Sequence, residues 1–190
     1  MPRLFTGLEI PEDIRDQLSD LSMPLPGAWW IDSDELHVTL RFAGDVDNPT
    51  ADDFVRALDA INEEAFVARL AGLGTFGAKD PRSIWVGVEA GPALARLAKA
   101  NERAARAAGL PPETRAFKAH VTIARLRNSP PQAIARMLAR RSGYRSEPFL
   151  VTNFALFSSK PVTGGGPYIV EETFPLTGGG APAGNQASLG

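Results

Sequence analysis

The tetrapeptide His-Val-Thr-(Leu/Ile) occurs twice, as HVTL from His37 and as HVTI from His120, and these are the only two histidines in the chain. Each copy lies in a run rich in β-branched and apolar residues, LHVTLRFAG and AHVTIARL, that reads as a strand. Successive side chains of a strand point to opposite faces. His37 therefore shares a face with Thr39, and His120 with Thr122, while Val38, Leu40, Val121 and Ile123 point the other way, to pack against helices. One His-Val-Thr carries little weight, because a lone histidine on a strand is most often structural. Two copies 83 positions apart, using every histidine present, constrain the fold to bring two equivalent strands together.

The flanking segments repeat in the same order. RLFTGLEI reads as a strand, and Pro11 opens a helix through PEDIRDQLSDL, since proline suits a first helical turn. After LHVTLRFAG, closed by Gly44, PTADDFVRALDAINEEA predicts a helix with Thr50 as cap and Phe54, Leu58 and Ile61 at helical spacing. FVARLAGLGTFG and SIWVGVEA predict two strands joined by the turn AKDPR, and PALARLAKANERAARAAG an alanine-rich helix ending at Gly109. The second half follows suit. AHVTIARL is a strand, and SPPQAIARMLARRSG is a helix with Ser129 as cap and Gly143 as stop. EPFLVTNFALFSSK and GPYIVEETFPL are then two strands around a glycine-rich loop. Tetrapeptide strand, helix, two strands: the recurrence points to two lobes related by a pseudo-twofold. Residues 1–176 are expected to form a single bilobal domain, and 177–190, TGGGAPAGNQASLG, to be disordered because they have almost nothing to bury.

Composition narrows the chemistry. With 190 residues, 44 % apolar and 22 % charged, the chain is ordinary globular material able to bury a core without staples. It has no cysteine, which excludes disulfides, thiolate zinc sites and cysteine nucleophiles. The opening MPRLFTGLEIPEDIRDQL turns acidic early and lacks the apolar stretch of a secretory signal, and no run approaches the roughly 20 apolar residues of a membrane span. A cytoplasmic protein without membrane association is expected. The net charge of −2 hides a polarity: residues 1–90 hold 7 Lys/Arg against 17 Asp/Glu, and residues 91–190 hold 13 against 5. The basic stretch RAARAAGLPPETRAFKAHVTIARLR surrounds His120, and such a one-sided field suits an anionic partner such as phosphate or nucleic acid.

If the lobes face one another, two imidazoles and two hydroxyls converge on one cleft. Opening a cyclic phosphodiester needs a base to deprotonate water and an acid to protonate the departing oxygen, on opposite sides of the phosphate because displacement runs in line. Imidazole, with an ordinary pKa near 6.5, can take either part. Threonine hydroxyls and a cation would hold the non-bridging oxygens, where charge accumulates. A zinc site is a weaker alternative, since it needs a third ligand and neither His-x-His nor His-x-x-x-His spacing occurs. No G-x-S-x-G elbow or G-x-x-x-x-G-K-S/T loop is present.

Two H-x-T-hydrophobic motifs about 80 residues apart resemble the 2H phosphoesterase superfamily. Within it the chain is most similar to the bacterial and archaeal RNA 2′,3′-cyclic phosphodiesterases, long called 2′-5′ RNA ligases. The likeness covers roughly residues 1–176, through RLFTGLEIP, WIDSDELHVTLRFAGDV, SIWVGVE, FKAHVTIAR and FALFSSKPVTGGGPYIVEETFPL. It implies an α+β, bilobal (LigT-like) fold with antiparallel sheets, helices outside and an active cleft between lobes. It implies metal-independent hydrolysis of an RNA 2′,3′-cyclic phosphate end, or a small cyclic nucleotide, to a 2′-phosphomonoester by a monomer without cofactor. By motif position His37 would be the proton donor to the leaving 3′-oxygen and His120 the proton acceptor, with Thr39 and Thr122 on the phosphate. Arg125, Arg41, Trp30 and Phe117 are further candidates, the arginines for phosphate and the aromatic rings for a base. Strict alternation puts Arg125 opposite the His120 face, whereas Arg41 shares the His37 face about 13 Å along the strand. Two departures from the family pattern, Trp29 in place of a basic residue and Ala119 in place of proline, bear on substrate fit. Two other readings remain: action on another small cyclic phosphate or a 2′-5′ linkage, and RNA-end binding without catalysis.

Overall fold

The computed structural model describes residues 1–161 and 165–179. In chain order they form β1 (Arg3–Glu9), α1 (Glu12–Ser19), β2 (Ala28–Trp30), β3 (His37–Asp45), α2 (Asn48–Asp59), β4 (Phe66–Phe76) and β5 (Ser83–Glu89). There follow α3 (Gly91–Ala107), β6 (His120–Leu126), α4 (Pro131–Arg141), β7 (Phe149–Val151), β8 (Asn153–Ser159) and β9 (Ile169–Pro175). The architecture is α+β and bilobal, and its strands run in the order β7-β4-β5-β6-β3-β1-β8-β9, with β2 added alongside β6. All the ladders named are antiparallel.

The two tetrapeptide strands are central neighbours. The ladder between β3 and β6 is the single pair Val38 with Val121, the valine of each tetrapeptide. Both valines are buried in one core with Leu40, Ile123, Phe54 and Leu58 of α2, and Leu97 of α3. Burying a Val, Leu or Ile side chain contributes about 1.5–3 kcal/mol, so the alternating pattern read from the sequence fixes which face of each strand is driven inward. Opposite this face stand the histidines and threonines.

The recurring order of elements is present, but the hairpins cross over. The β4–β5 hairpin, which follows the first tetrapeptide strand and its helix, pairs with β6 of the second. The β8–β9 hairpin pairs with β1, which in turn pairs with β3 of the first. The half around β6 therefore borrows β4 and β5, with β2 alongside, from the first part of the chain, and the half around β3 borrows β8 and β9 from the last. The predicted strand EPFLVTNFALFSSK breaks at Thr152, because β7 pairs with β4 in one half and β8 with β1 in the other.

Two helix starts differ from expectation. Asp47 caps α2, its carboxylate accepting from the Thr50 N–H at 2.8 Å, so Thr50 supplies the donor and not the cap. The Thr50 hydroxyl, and then its N–H, lower the Asp47 carboxyl from its ordinary pKa. At α4 the cap position is Pro130 and makes no side-chain cap bond, while the Ser129 hydroxyl is buried without a partner. Near the C-terminus Thr177 pairs with both sides of Glu64, its N–H donating to Glu63 O and its carbonyl accepting from Ala65 N–H. The expectation of a disordered tail otherwise falls on 180–190, outside the described residues.

Candidate active site

Both motif histidines are held by one device. His37 Nδ1 lies 2.7 Å from the Glu35 carbonyl oxygen, and His120 Nδ1 lies 2.6 Å from that of Lys118, in each case two residues upstream. A carbonyl only accepts, so each Nδ1–H donates and each Nε2 is left bare and free to exchange a proton. His37 Nε2 lies 3.0 Å from Thr39 Oγ1, and in the neutral ring that hydroxyl donates to the nitrogen. Extending the Val38–Val121 register one residue each way sets His37 opposite Thr122 and His120 opposite Thr39. The two imidazoles then lie on a diagonal, where neighbouring residues stand roughly 7–8 Å apart, room for a phosphate between the rings. All four side chains line one open cleft of about 400 Å³.

Beyond the threonines strict alternation fails, at the same place in both strands. The pairing of β1 with β3 skips Leu40, between Gly7–Thr39 and Thr6–Arg41. The pairing of β5 with β6 skips Ile123, between Trp85–Thr122 and Ile84–Ala124. An extra residue on one strand, a β-bulge, reverses the faces of everything after it. Gly7 permits the close approach at the first bulge, where a Cβ would lie 2.5 Å from the Val38 carbonyl oxygen. Leu40 and Arg41 are consequently both buried, as are Ile123 and Ala124. The residue five after each histidine returns to the cleft: Phe42 in one half and Arg125 in the other.

The bulge exchanges the two arginine assignments. Arg125 lines the cleft, and the expectation that it faces away is corrected. Arg41 leaves the cleft. It is 7 % exposed, ion-paired with Glu102, and donates to the carbonyls of Phe42 and Pro111. It clamps the loop between α3 and β6 and is not part of the cleft lining. Trp30 is also displaced: it is half-buried against the core, while its neighbour Trp29 is turned outward. Phe117, 41 % exposed in the loop before β6, is not part of the cleft lining.

The aromatic surroundings were missed from sequence. The His37 ring sits 4.8 Å from Phe5, 5.1 Å edge-on from Tyr168 and 6.0 Å from Phe157. Removal of water by this cage is the largest influence on His37 and lowers its pKa below the ordinary 6.5. The Glu35 carbonyl opposes that effect, and the charges of His120 and Arg125 add to it. Phe76 meets the His120 ring edge-on at 4.9 Å and Trp85 lies at 6.4 Å, with the Lys118 ammonium 4.5 Å above the Trp85 ring. These residues come from other strands and loops, so no local pattern marks them. Arg82, ion-paired with Asp80 at 3.0 Å, and Ser83, the first residue of β5, line the cleft beside Arg125.

Two imidazoles with bare Nε2 atoms, two hydroxyls and one cation on an open cleft define a class of site suited to acid–base chemistry on a phosphoester. The sequence comparisons agree with the fold. Residues 11–162 match the 2′-5′ RNA ligase superfamily, and the chain belongs to that superfamily. A protein of Aquifex aeolicus named RNA 2′,3′-cyclic phosphodiesterase is 31 % identical over 92 % of this chain and 95 % of its own length. One of Aeropyrum pernix with the same name is 36 % identical over 61 % of this chain and 65 % of its own length. Among solved structures, TT0787 of Thermus thermophilus superposes with a TM-score of 0.74 at 27 % identity, covering 91 % of this chain and 97 % of that one. The crystal structure of E. coli LigT complexed with 3′-AMP has a TM-score of 0.76 at 23 % identity, over 93 % and 98 %, and shares the fold.

Proposed function

We propose that the chain is an RNA 2′,3′-cyclic phosphodiesterase that opens terminal cyclic phosphates to 2′-phosphomonoesters. The observation that carries this reading is the matched presentation of two Nε2 atoms about the Val38–Val121 pair, with Arg125 on the same face. Water attacks phosphorus while His120 Nε2 takes its proton. The bond from phosphorus to O3′ breaks, and protonated His37 delivers its Nε2 proton to that oxygen, leaving a 2′-phosphate and a 3′-hydroxyl. Thr39, Thr122 and Arg125 hold the non-bridging oxygens as charge builds on them.

The surroundings of His37 support coupling between binding and protonation. Its pKa is lowered in the free protein by burial first, and further by the positive charges of His120 and Arg125. A phosphate anion placed among these groups offsets both charges, so His37 gains proton affinity as substrate arrives. The pH–rate profile is therefore bell-shaped, with limbs that belong to the histidines as a coupled pair. All four motif side chains come from one chain, so the proposed chemistry needs no residue from a second copy. Among the described residues no group of three or more His, Cys, Asp or Glu side chains gathers as metal ligands. No described helix is long and apolar enough to cross a membrane.

The test is a short RNA ending in a 2′,3′-cyclic phosphate, incubated with the protein and EDTA, and its product separated as 2′- or 3′-phosphate. Conversion to the 2′-phosphate despite chelation is expected. Formation of the 3′-phosphate would reverse the assigned leaving oxygen. Absence of turnover by folded protein would move the reading to another phosphoester or to binding alone.

A further inference from the structure

Trp29 is the most exposed aromatic side chain among the described residues, at 74 %, and the chemistry above does not use it. Its place in the sheet is specific. On β2 it is directly opposite Arg125 of β6, and Arg125 is in turn opposite Ser83 of β5. Directly opposed residues point to the same face, with Cβ atoms roughly 4.5–5.5 Å apart. Ile31, two residues beyond Trp29, lines the cleft, as do Arg125 and Ser83. The indole thus stands one strand outward from the guanidinium that meets the phosphate.

Other aromatic faces near the cleft are already covered: Phe42 by the Arg3 guanidinium at 5.2 Å, and Trp85 by Lys118 at 4.5 Å. Trp29 has no aromatic or cationic partner of this kind among the described residues. The charge distribution favours its side of the cleft for an anionic chain, since Arg125 lines the second half, with Arg82 beside it paired to Asp80, whereas Glu35 lines the first. Leaving so large a ring in water forgoes an apolar burial that a planar ligand would recover.

We propose that Trp29 is the stacking platform for the terminal base of the substrate, a nucleobase subsite continuous with the phosphate site. The inference rests on the phosphodiesterase reading of the cleft. Stacking needs only a π-face, so the subsite accepts any base and holds purines more tightly than pyrimidines through their larger area.

The test compares wild type with W29A, W29F and F42A. Calorimetry measures the affinity of each for 2′-AMP and for inorganic phosphate, and steady-state kinetics use 2′,3′-cyclic AMP. In W29A, 2′-AMP binding weakens and KM rises by roughly five- to tenfold. Phosphate affinity holds, and the loss is carried by KM more than by kcat. W29F recovers most of the loss. Unchanged 2′-AMP affinity in W29A, an equal loss for phosphate, or an effect found in F42A alone would overturn the proposal. So would a change confined to oligomeric state, which would make the ring a protein contact. If wild type fails to turn over cyclic AMP, the reaction assignment fails, while the 2′-AMP and phosphate affinities still decide the role of Trp29.

Discussion

Around His37 the sheet gathers Phe5, Phe157 and Tyr168, whereas around His120 it places Phe76 and Trp85 with a lysine ammonium over the indole. The position four residues on is a clamping arginine in the first half, Arg41, and a buried alanine, Ala124, in the second. The position after that is Phe42 in one and Arg125 in the other, both lining the cleft. Yet the Nδ1 anchors and the bulges match. The repeated backbone delivers two equivalent imidazoles, and the unlike side chains around them make one different from the other. The resolved consequence is at His37, where loss of water in its aromatic surroundings lowers the pKa.

The largest expected effects come from breaking the pair itself. His37→Ala and His120→Ala should each lower kcat by roughly 10²–10⁴-fold, the range for losing a positioned acid or base. The double variant should be little worse than either single, because groups that act together are non-additive. Full turnover in either single variant would remove the basis of the comparison.

Exchanging the unlike positions sharpens it. Arg125→Ala removes the cleft cation proposed to hold the phosphate and is expected to cost about 10²-fold in kcat/KM, the order found for losing one charge-stabilising donor. Phe42→Ala, at the matching position, should cost only a few-fold. Equal losses from the two would show that the cleft does not distinguish its halves at this point.

Arg41→Ala tests the clamp. It leaves Glu102 and the Pro111 carbonyl without their donor and should lower stability by about 2 kcal/mol, read from the urea midpoint. Glu102 is partly exposed, which keeps the loss below that of a fully buried pair. Ala124, its counterpart, has no such contact to lose. An unchanged midpoint would return Arg41 to consideration as a substrate ligand.

Much of this was legible in sequence, for identifiable reasons. The alternation His-Val-Thr-Leu correctly separates the cleft face from the core face, because a buried strand face must be apolar. The bulges were not legible. Leu40 and Ile123 look like ordinary strand residues, and nothing local tells that each is the extra residue that reverses Arg41 and Arg125. The same one-residue sensitivity separates Trp29 from Trp30, whose faces depend on how β2 pairs with β6. The hairpin crossover is a long-range pairing choice, made by the whole sheet and not by any segment.

A smaller effect is thermodynamic. The pKa of His37 is lowered on folding, so the folded state binds its proton less readily than the unfolded chain does. Stability is therefore full above the unfolded value of about 6.5 and falls as pH drops below it, toward the folded pKa. In His37→Asn this part of the pH dependence should disappear; a dependence identical to wild type would mean the cage does not act on His37.

Because the chain has only two histidines, the most direct measurement is an NMR titration of the two imidazole rings, with and without 2′-AMP. In the free protein both rings are expected as Nδ1–H tautomers, with His37 titrating below 6.5 and shifting upward when the nucleotide binds. Either ring protonated on Nε2 alone, or a His37 titration that ignores the nucleotide, would contradict a phosphate held between an unlike pair of histidines.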